Sequence, residues 1–289
     1  MSPLPATLRD AWMDGADRLN RAGVDDARFE AEVLLRHASG RTRADLYANL
    51  TETVDPAAQL EFEAALARRA RREPLAYIIG HREFYGLDIQ VTPDVLIPRP
   101  ESELLVETAL DALKGQRVRQ ALVVDVGTGS GALGIAIAKN RRGVRLVGID
   151  QSRSALRVAA ANGARLIPKT PRLWLQADLL TALAGPVDCI VANLPYISEE
   201  ALEQLPPEIA DFEPRQALVT PGGNGADLIL RLLTQLARRL APRGIAVLEI
   251  DPHCADQVSD AARQLLPDAK LDLLQDLGGD ARALRVAAG

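Results

Sequence analysis

A glycine-rich loop set between an apolar strand pattern and a helix pattern constrains this chain more than any other feature. Residues 121–126 form a β-branched, apolar run that ends in Asp125-Val126, and Gly127-Thr128-Gly129-Ser130-Gly131 follows directly. Residues 132–140 then continue with helical apolar spacing. Glycine accepts positive φ and lets backbone come close to a ligand, and amides at a helix start favour a polar or anionic group. The same alternation runs on beyond residue 100, with strands expected at 145–149, 173–176, 189–192 and 245–250. Helices are expected at 101–113, 154–162 and 226–240. Short β-rich runs alternating with amphipathic helices predict an α/β fold, a parallel sheet covered on both faces. Ligands of such sheets lie at the carboxyl ends of the strands, beside the switch in strand order.

The remainder of the 289 residues divides into two further parts. Residues 1–82 carry helical spacing, as in Leu8, Trp12 and Leu19, with Asp55-Pro56 expected as an N-cap followed by an N1 proline. Residues 83–99 switch to period two, with Ile89, Val91, Val95 and Ile97 alternating around Thr92-Pro93-Asp94, a pattern expected to form a hairpin. The domain expectation is therefore 1–82 helical, 83–99 a β-hairpin linker and 100–289 the α/β domain. A net charge of −5 makes a general nucleic-acid binder unlikely, since such affinity rests on basic residues. Two cysteines and three histidines, none at ligand spacing, give no metal site. No signal-peptide pattern or membrane-length apolar run is visible, so the expectation is a cytoplasmic protein without a membrane partner.

Asp150 ends the strand after the loop, 19 residues (150 − 131) beyond Gly131, where a carboxylate would accept from the hydroxyls of an adenosine ribose. Gly129-x-Gly131-x-x-Gly134 fits a dinucleotide-binding turn. The same loop, preceded by Asp125, resembles the first motif of S-adenosyl-L-methionine-dependent methyltransferases, in which the acid contacts the methionine part of the cofactor. Asp178, after the third strand, is read either as a helix N-cap or as an acceptor for the adenine amino group, with Leu179 against the ring.

Asn193-Leu194-Pro195-Tyr196, at the end of the fourth strand, is similar to the Asn-Pro-Pro-Tyr form of methyltransferases that modify a planar nitrogen, of adenine or of a glutamine amide. Such a nitrogen is a weak nucleophile because its lone pair is delocalised. The Asn193 side-chain oxygen and the Leu194 carbonyl are expected to accept its N–H groups and aim it, with Tyr196 packed on the planar group. Leucine stands at 194 where the family usually has proline. Pro195 still biases residue 194 toward an extended conformation.

Three further stretches carry a closer resemblance: Pro74-Leu-Ala-Tyr77-Ile-Ile-Gly80, Glu83-Phe84-Tyr85-Gly86 and Leu96-Ile-Pro98-Arg99-Pro100-Glu101-Ser102-Glu103. With Glu213-Pro-Arg-Gln-Ala217-Leu218, Gly222-Gly223-Asn224-Gly225 and Leu248-Glu249-Ile250, they resemble the protein-(glutamine-N5) methyltransferases that act on peptide chain release factors. The resemblance spans about residues 25–285. It implies a Rossmann-like class I methyltransferase domain, a helical N-terminal domain joined by a β-hairpin linker, S-adenosyl-L-methionine as cofactor, and the glutamine of a release factor's Gly-Gly-Gln segment as substrate. By the same resemblance, Asp125, Gly127, Thr128, Gly129, Ser130, Gly131, Asp150, Asp178, Leu179 and Asn193 hold the cofactor. Adenine methylation of RNA or DNA and glutamine methylation of a ribosomal protein are the alternatives. The one basic run, Arg68-Arg69-Ala-Arg71-Arg72, is read as a solvated helix end, or else as a contact for an acidic substrate patch or RNA.

Overall fold

The computed structural model describes residues 7–114, 120–220, 225–276 and 278–289. The chain divides into two compact units: Met1–Gly80 with Pro206–Phe212, and His81–Leu205 with Glu213–Gly289.

The first unit holds helices α1 (Leu8–Arg21), α2 (Ala27–Ser39), α3 (Arg43–Ala48), α4 (Pro56–Ala70) and α5 (Leu75–Ile79). Side-chain caps fix the starts of α1, α3 and α4. Thr7 Oγ1 accepts from the Asp10 N–H while the Asp10 carboxylate accepts from the Thr7 N–H, a reciprocal cap. Asp55 accepts from the N–H groups of Ala57 and Ala58, with Pro56 in the first turn, as the sequence predicts. Leu8, Leu19, Leu34, Leu35, Phe62 and Leu66 form its core.

The basic run is not the solvated end it looks like. Arg69 is only 5% exposed and pairs with Glu30 and, at 3.0 Å, with Glu208. Arg72 also pairs with Glu208, at 2.7 Å, and Arg68 with Glu73. Arg71 is the exposed member of the run, and Arg68 and Arg72 are half-buried. The carboxylates that take up these charges lie outside the run, so its own composition does not reveal them.

The second unit opens on strands β1 (His81–Phe84) and β2 (Leu87–Gln90), turning at Tyr85 and Gly86, which have φ of 51° and 72°. The hairpin thus lies ahead of the Thr92-Pro93-Asp94 tip expected from the sequence. A turn does form there, with the Val95 N–H donating to the Thr92 carbonyl, but no strand follows it. The reason is that Ile97 donates its N–H to Glu213 Oε2 instead of to a strand partner.

Beyond the hairpin come α6 (Glu103–Lys114), β3 (Ala121–Val126), α7 (Ala132–Asn140), β4 (Val144–Asp150), α8 (Arg153–Leu166), β5 (Arg172–Gln176) and β6 (Val187–Ala192). Three single turns, α9 (Glu199–Leu202), α10 (Pro207–Ala210) and α11 (Arg215–Leu218), precede α12 (Asp227–Leu236), β7 (Leu240–Glu249), α13 (Ala255–Leu265), β8 (Lys270–Gln275) and β9 (Ala281–Ala287). The helix expected over 226–240 stops at Leu236 because β7 already begins at Leu240, and α13, β8 and β9 are additions to the sequence reading.

The sheet order is β5-β4-β3-β6-β7-β9-β8, parallel except where β9 runs against β7 and β8. β3 and β6 are almost wholly buried, as strands covered on both faces must be. They are also the pair at which strand order reverses. Helix α7 comes very close to β3: a Cβ on Gly134 would lie 2.6 Å from Leu146 Cδ1 and 3.0 Å from the Asp125 side chain. That close seat brings the glycine loop over the end of the strands.

Candidate functional site

A cleft of about 480 Å³ opens where β3, β4 and β6 end. Gly127, Thr128, Gly129 and Ser130 line one side, Asp150, Asp178 and Leu179 a second, and Asn193, Leu194 and Pro195 a third. The structure therefore brings together three sequence segments expected to share a site. Asp125, Gly131 and Tyr196 are not among the lining residues.

The loop is shaped from below. Gly127 and Thr128 donate N–H bonds of 2.8 and 2.9 Å to the Ile149 carbonyl, which turns the chain away from the sheet with Gly127 at φ 69°. Gly129 donates its N–H to Asp150 Oδ2 at 2.9 Å, and Ser152 donates its N–H to Oδ1 at 2.9 Å. Each Asp150 oxygen keeps a second lone pair for a ligand. Burial pushes the Asp150 carboxyl above its ordinary range, and the backbone N–H groups oppose that shift.

Asp125 sits beneath the loop, 1% exposed. Its Oδ2 accepts from Thr128 Oγ1 at 2.7 Å and from the Gly134 N–H at 3.0 Å, and its Oδ1 is buried with no hydrogen-bond partner. Burial pushes this carboxyl up to about 7, against the pull of the two hydrogen bonds. Asp178 caps no helix. Its Oδ1 accepts from Gln151 Nε2 at 2.9 Å and its Oδ2 pairs with Arg231 of α12. Leu179 beside it is buried at φ 49°, so the chain turns sharply there and lays an apolar side chain on the cleft.

At the third side, Asn193 Nδ2 donates to Ser102 Oγ at 3.0 Å, and Ser102 Oγ donates to Glu249 Oε2 at 2.6 Å. The Tyr196 hydroxyl donates to Glu249 Oε1 over 3.4 Å, so this ring reaches behind the cleft. Ile197 donates its N–H to the Leu218 carbonyl and accepts from the Thr220 N–H, which pins the end of the segment. Arg99 lines the cleft and pairs with Glu213, whose carboxyl burial raises and Arg99 lowers.

Ser102, Glu249 and Arg99 lay within the stretches that carry the resemblance, yet nothing in their spacing marks them as one constellation. Residues 222–224, from the same resemblance, lie outside the described residues. Among the described residues no group of three or more His, Cys, Asp or Glu is placed to hold a metal, and no helix is long and apolar enough to cross a membrane.

Residues 10–80 match the family model described as PrmC N-terminal domain, and residues 100–209 match the Methyltransferase small domain. The chain is 41% identical over 271 residues to a release factor glutamine methyltransferase of Moorella thermoacetica, covering 91% of this chain and 94% of the relative. It is 36% identical over 272 residues to the Rhodopirellula baltica protein of the same name, covering 93% and 92%. Among solved structures, a methyltransferase from Pyrococcus furiosus superposes with a TM-score of 0.53 at 17% identity, over 77% of this chain and 98% of that one, and shares the fold.

Proposed function

Because the chain belongs to the release factor glutamine methyltransferase family, we propose that it methylates the side-chain amide nitrogen of the glutamine in the Gly-Gly-Gln segment of peptide chain release factors. The observation that carries this reading is the shared cleft, which the glycine loop and Asn193-Leu194-Pro195 both line.

S-adenosyl-L-methionine, when bound, supplies a methyl group on a positively charged sulfur. The residues present fit such a molecule. A volume of about 480 Å³ suits a nucleoside with a short tail. Asp150 offers free lone pairs for ribose hydroxyls, and Leu179 offers an apolar face for a purine with Asp178 beside it. Within the loop of Gly127, Thr128, Gly129, Ser130 and Gly131, the partly exposed Gly127 and Gly129 leave backbone at the cleft for the tail, and Gly131 lies behind them. Asp125, whose Oδ1 has no partner, braces that loop from beneath through Thr128 and Gly134 without lining the cleft.

The chain's own work is on the nucleophile. Asn193 Oδ1 and the Leu194 carbonyl accept the two N–H groups of the glutamine amide, which turns its lone pair toward the donor. As the N–C bond forms and the donor's C–S bond breaks to leave a neutral thioether, positive charge grows on the nitrogen and both acceptors stabilise it. Loss of one N–H proton to solvent then leaves the neutral methylated amide. Holding the reactants in line supplies much of the rest. Pro195 keeps residue 194 extended so that its carbonyl stays turned to the cleft. Tyr196 contributes from behind, as a donor to Glu249. The helical unit bears no comparable cluster of chemistry, which supports a role in docking the protein substrate. Changing its exposed Met13, Phe29 and Tyr47 to serine should raise KM for the intact factor and leave turnover of a short Gly-Gly-Gln peptide unaltered.

The test is methyl transfer from labelled S-adenosyl-L-methionine to four acceptors in parallel. These are a release factor, the same factor with its Gly-Gly-Gln glutamine changed to alanine, ribosomal RNA and DNA. Label in the intact factor alone is the expected result; label in RNA or DNA overturns it.

A further inference from the structure

An asparagine side chain has nearly the same shape either way round, so packing alone does not decide whether oxygen or nitrogen faces a ligand. The partners decide. Ser102 Oγ, 3% exposed, has one proton to give, and it lies 2.6 Å from Glu249 Oε2 and 3.0 Å from Asn193 Nδ2. An ionised carboxylate accepts only, so the serine proton goes to Glu249. Ser102 is then left with lone pairs toward residue 193, and the asparagine must turn its NH₂ to them. Its Oδ1 faces the other way. Glu249 is fixed as an acceptor from a second side, since the Tyr196 hydroxyl donates to Oε1.

We propose that Glu249, acting through Ser102, sets which end of the Asn193 carboxamide faces the cleft, and that both are positioning residues for the reaction. The inference rests on the reading above, in which Asn193 Oδ1 accepts from the substrate amide. With the asparagine reversed, its NH₂ would meet the N–H groups of that amide, donor against donor, and the nucleophile would lose one of its two holds. Ser102 is well placed for a fixed role: it closes a turn in which its N–H donates to the Arg99 carbonyl at 3.1 Å. It joins Asn193 and Glu249, 91 and 147 positions away from it in the chain, into one line of bonds.

The arrangement has a protonation condition. Burial raises the Glu249 carboxyl, and the negative charge of Glu101 adds to that; the Ser102 and Tyr196 hydrogen bonds and the Arg282 cation oppose it. Once protonated, Glu249 can donate to Ser102, the serine proton is free to turn to residue 193, and the preference for one orientation is gone. Turnover should therefore fall on the acid side as Glu249 takes up its proton.

The experiment measures kcat and KM for a release factor, and the Kd for S-adenosyl-L-methionine, in Ser102→Ala, Glu249→Gln and Asn193→Ala against wild type. Expected for the first two is a drop in kcat of about 10- to 100-fold with both binding constants within about two-fold of wild type. The kcat profile at saturating substrates should show an acidic limb in wild type that Glu249→Gln lacks. Wild-type kcat in either variant, or a loss shared equally by cofactor or factor binding, overturns the proposal. Should Ser102→Ala fail to fold, Glu249→Gln keeps the native shape and carries the test. Should both fail, a wild-type profile without an acidic limb in kcat overturns the proposal. Asn193→Ala separates the two readings. Full activity there defeats the role given to Asn193, whereas an inactive Asn193→Ala beside fully active Ser102→Ala and Glu249→Gln defeats only the relay.

Discussion

Leu194 and Gly127 face one another so closely that a Cβ on residue 127 would lie 2.8 Å from Leu194 Cδ2, and 3.4 Å from the Asn193 carbonyl oxygen. The leucine is 4% exposed. Where the family usually has proline at this position, a ring would fix φ. Here a buried side chain is wedged on the glycine loop, and it ties residues 193–195 to that loop.

Gly127→Ala should therefore fail twice over, through positive φ and through the contact with Leu194. The expected cost is about 1–3 kcal/mol of stability together with weaker S-adenosyl-L-methionine binding, read by denaturant titration and calorimetry. In the Gly127→Ala/Leu194→Ala double variant the steric part should vanish and the φ part remain, so the two effects should not add.

Leu194→Ala alone should lower stability by roughly 2–5 kcal/mol, the range for emptying a buried leucine site. Because the wedge also steadies the 194 carbonyl, kcat should fall while the cofactor Kd changes little. A variant with wild-type kcat would mean that Pro195 fixes the carbonyl unaided.

Asp125 gives a pH prediction. Its folded-state carboxyl, pushed up to about 7 by burial, holds a proton that the unfolded chain releases near 3.8. Between those values the folded state binds more protons, so this group makes stability fall as pH rises from about 4 to about 7, and level off above. Asp125→Asn removes that slope. The stability difference between Asp125→Asn and wild type should thus move in favour of the variant from pH 5 to pH 8, as read from urea midpoints.

Arg69 and Arg71 are two positions apart and should behave in opposite ways. Arg69→Ala leaves Glu30 without its cation, while Glu208 keeps Arg72, at a cost of about 3–5 kcal/mol for breaking a buried pair. Arg71→Ala, on the exposed side, should change stability by less than about 0.5 kcal/mol. Thermal melts of the two variants at equal salt check this.

The sheet was legible wherever strands are buried on both faces, because an apolar run such as 121–126 or 189–192 has few other uses. It was not legible at β8 and β9, where Asp272 pairs across the strands with Arg285 and Asp276 with Arg282; charge pairs of this kind read in sequence as an exposed loop. The hairpin was displaced because Tyr85, a bulky residue, takes a positive φ that composition does not announce. At the site, the glycine loop, Asp150 and Asn193 are each marked by their local sequence, and the structure places them along one cleft. Ser102 and Glu249 acquire meaning only once β6 and β7 lie side by side, a fact of strand order.

The placement of Pro206–Phe212 with the helical unit means that the chain passes between units at 80/81, 205/206 and 212/213. A single proteolytic nick at the first of these would leave the helical unit threaded by a segment anchored at both ends in the other. Excising residues 1–80 would strand Glu208 without Arg69 and Arg72. No single cut removes every covalent crossing between the two units, and the unit with the glycine loop carries residues 206–212 of the other within its own sequence.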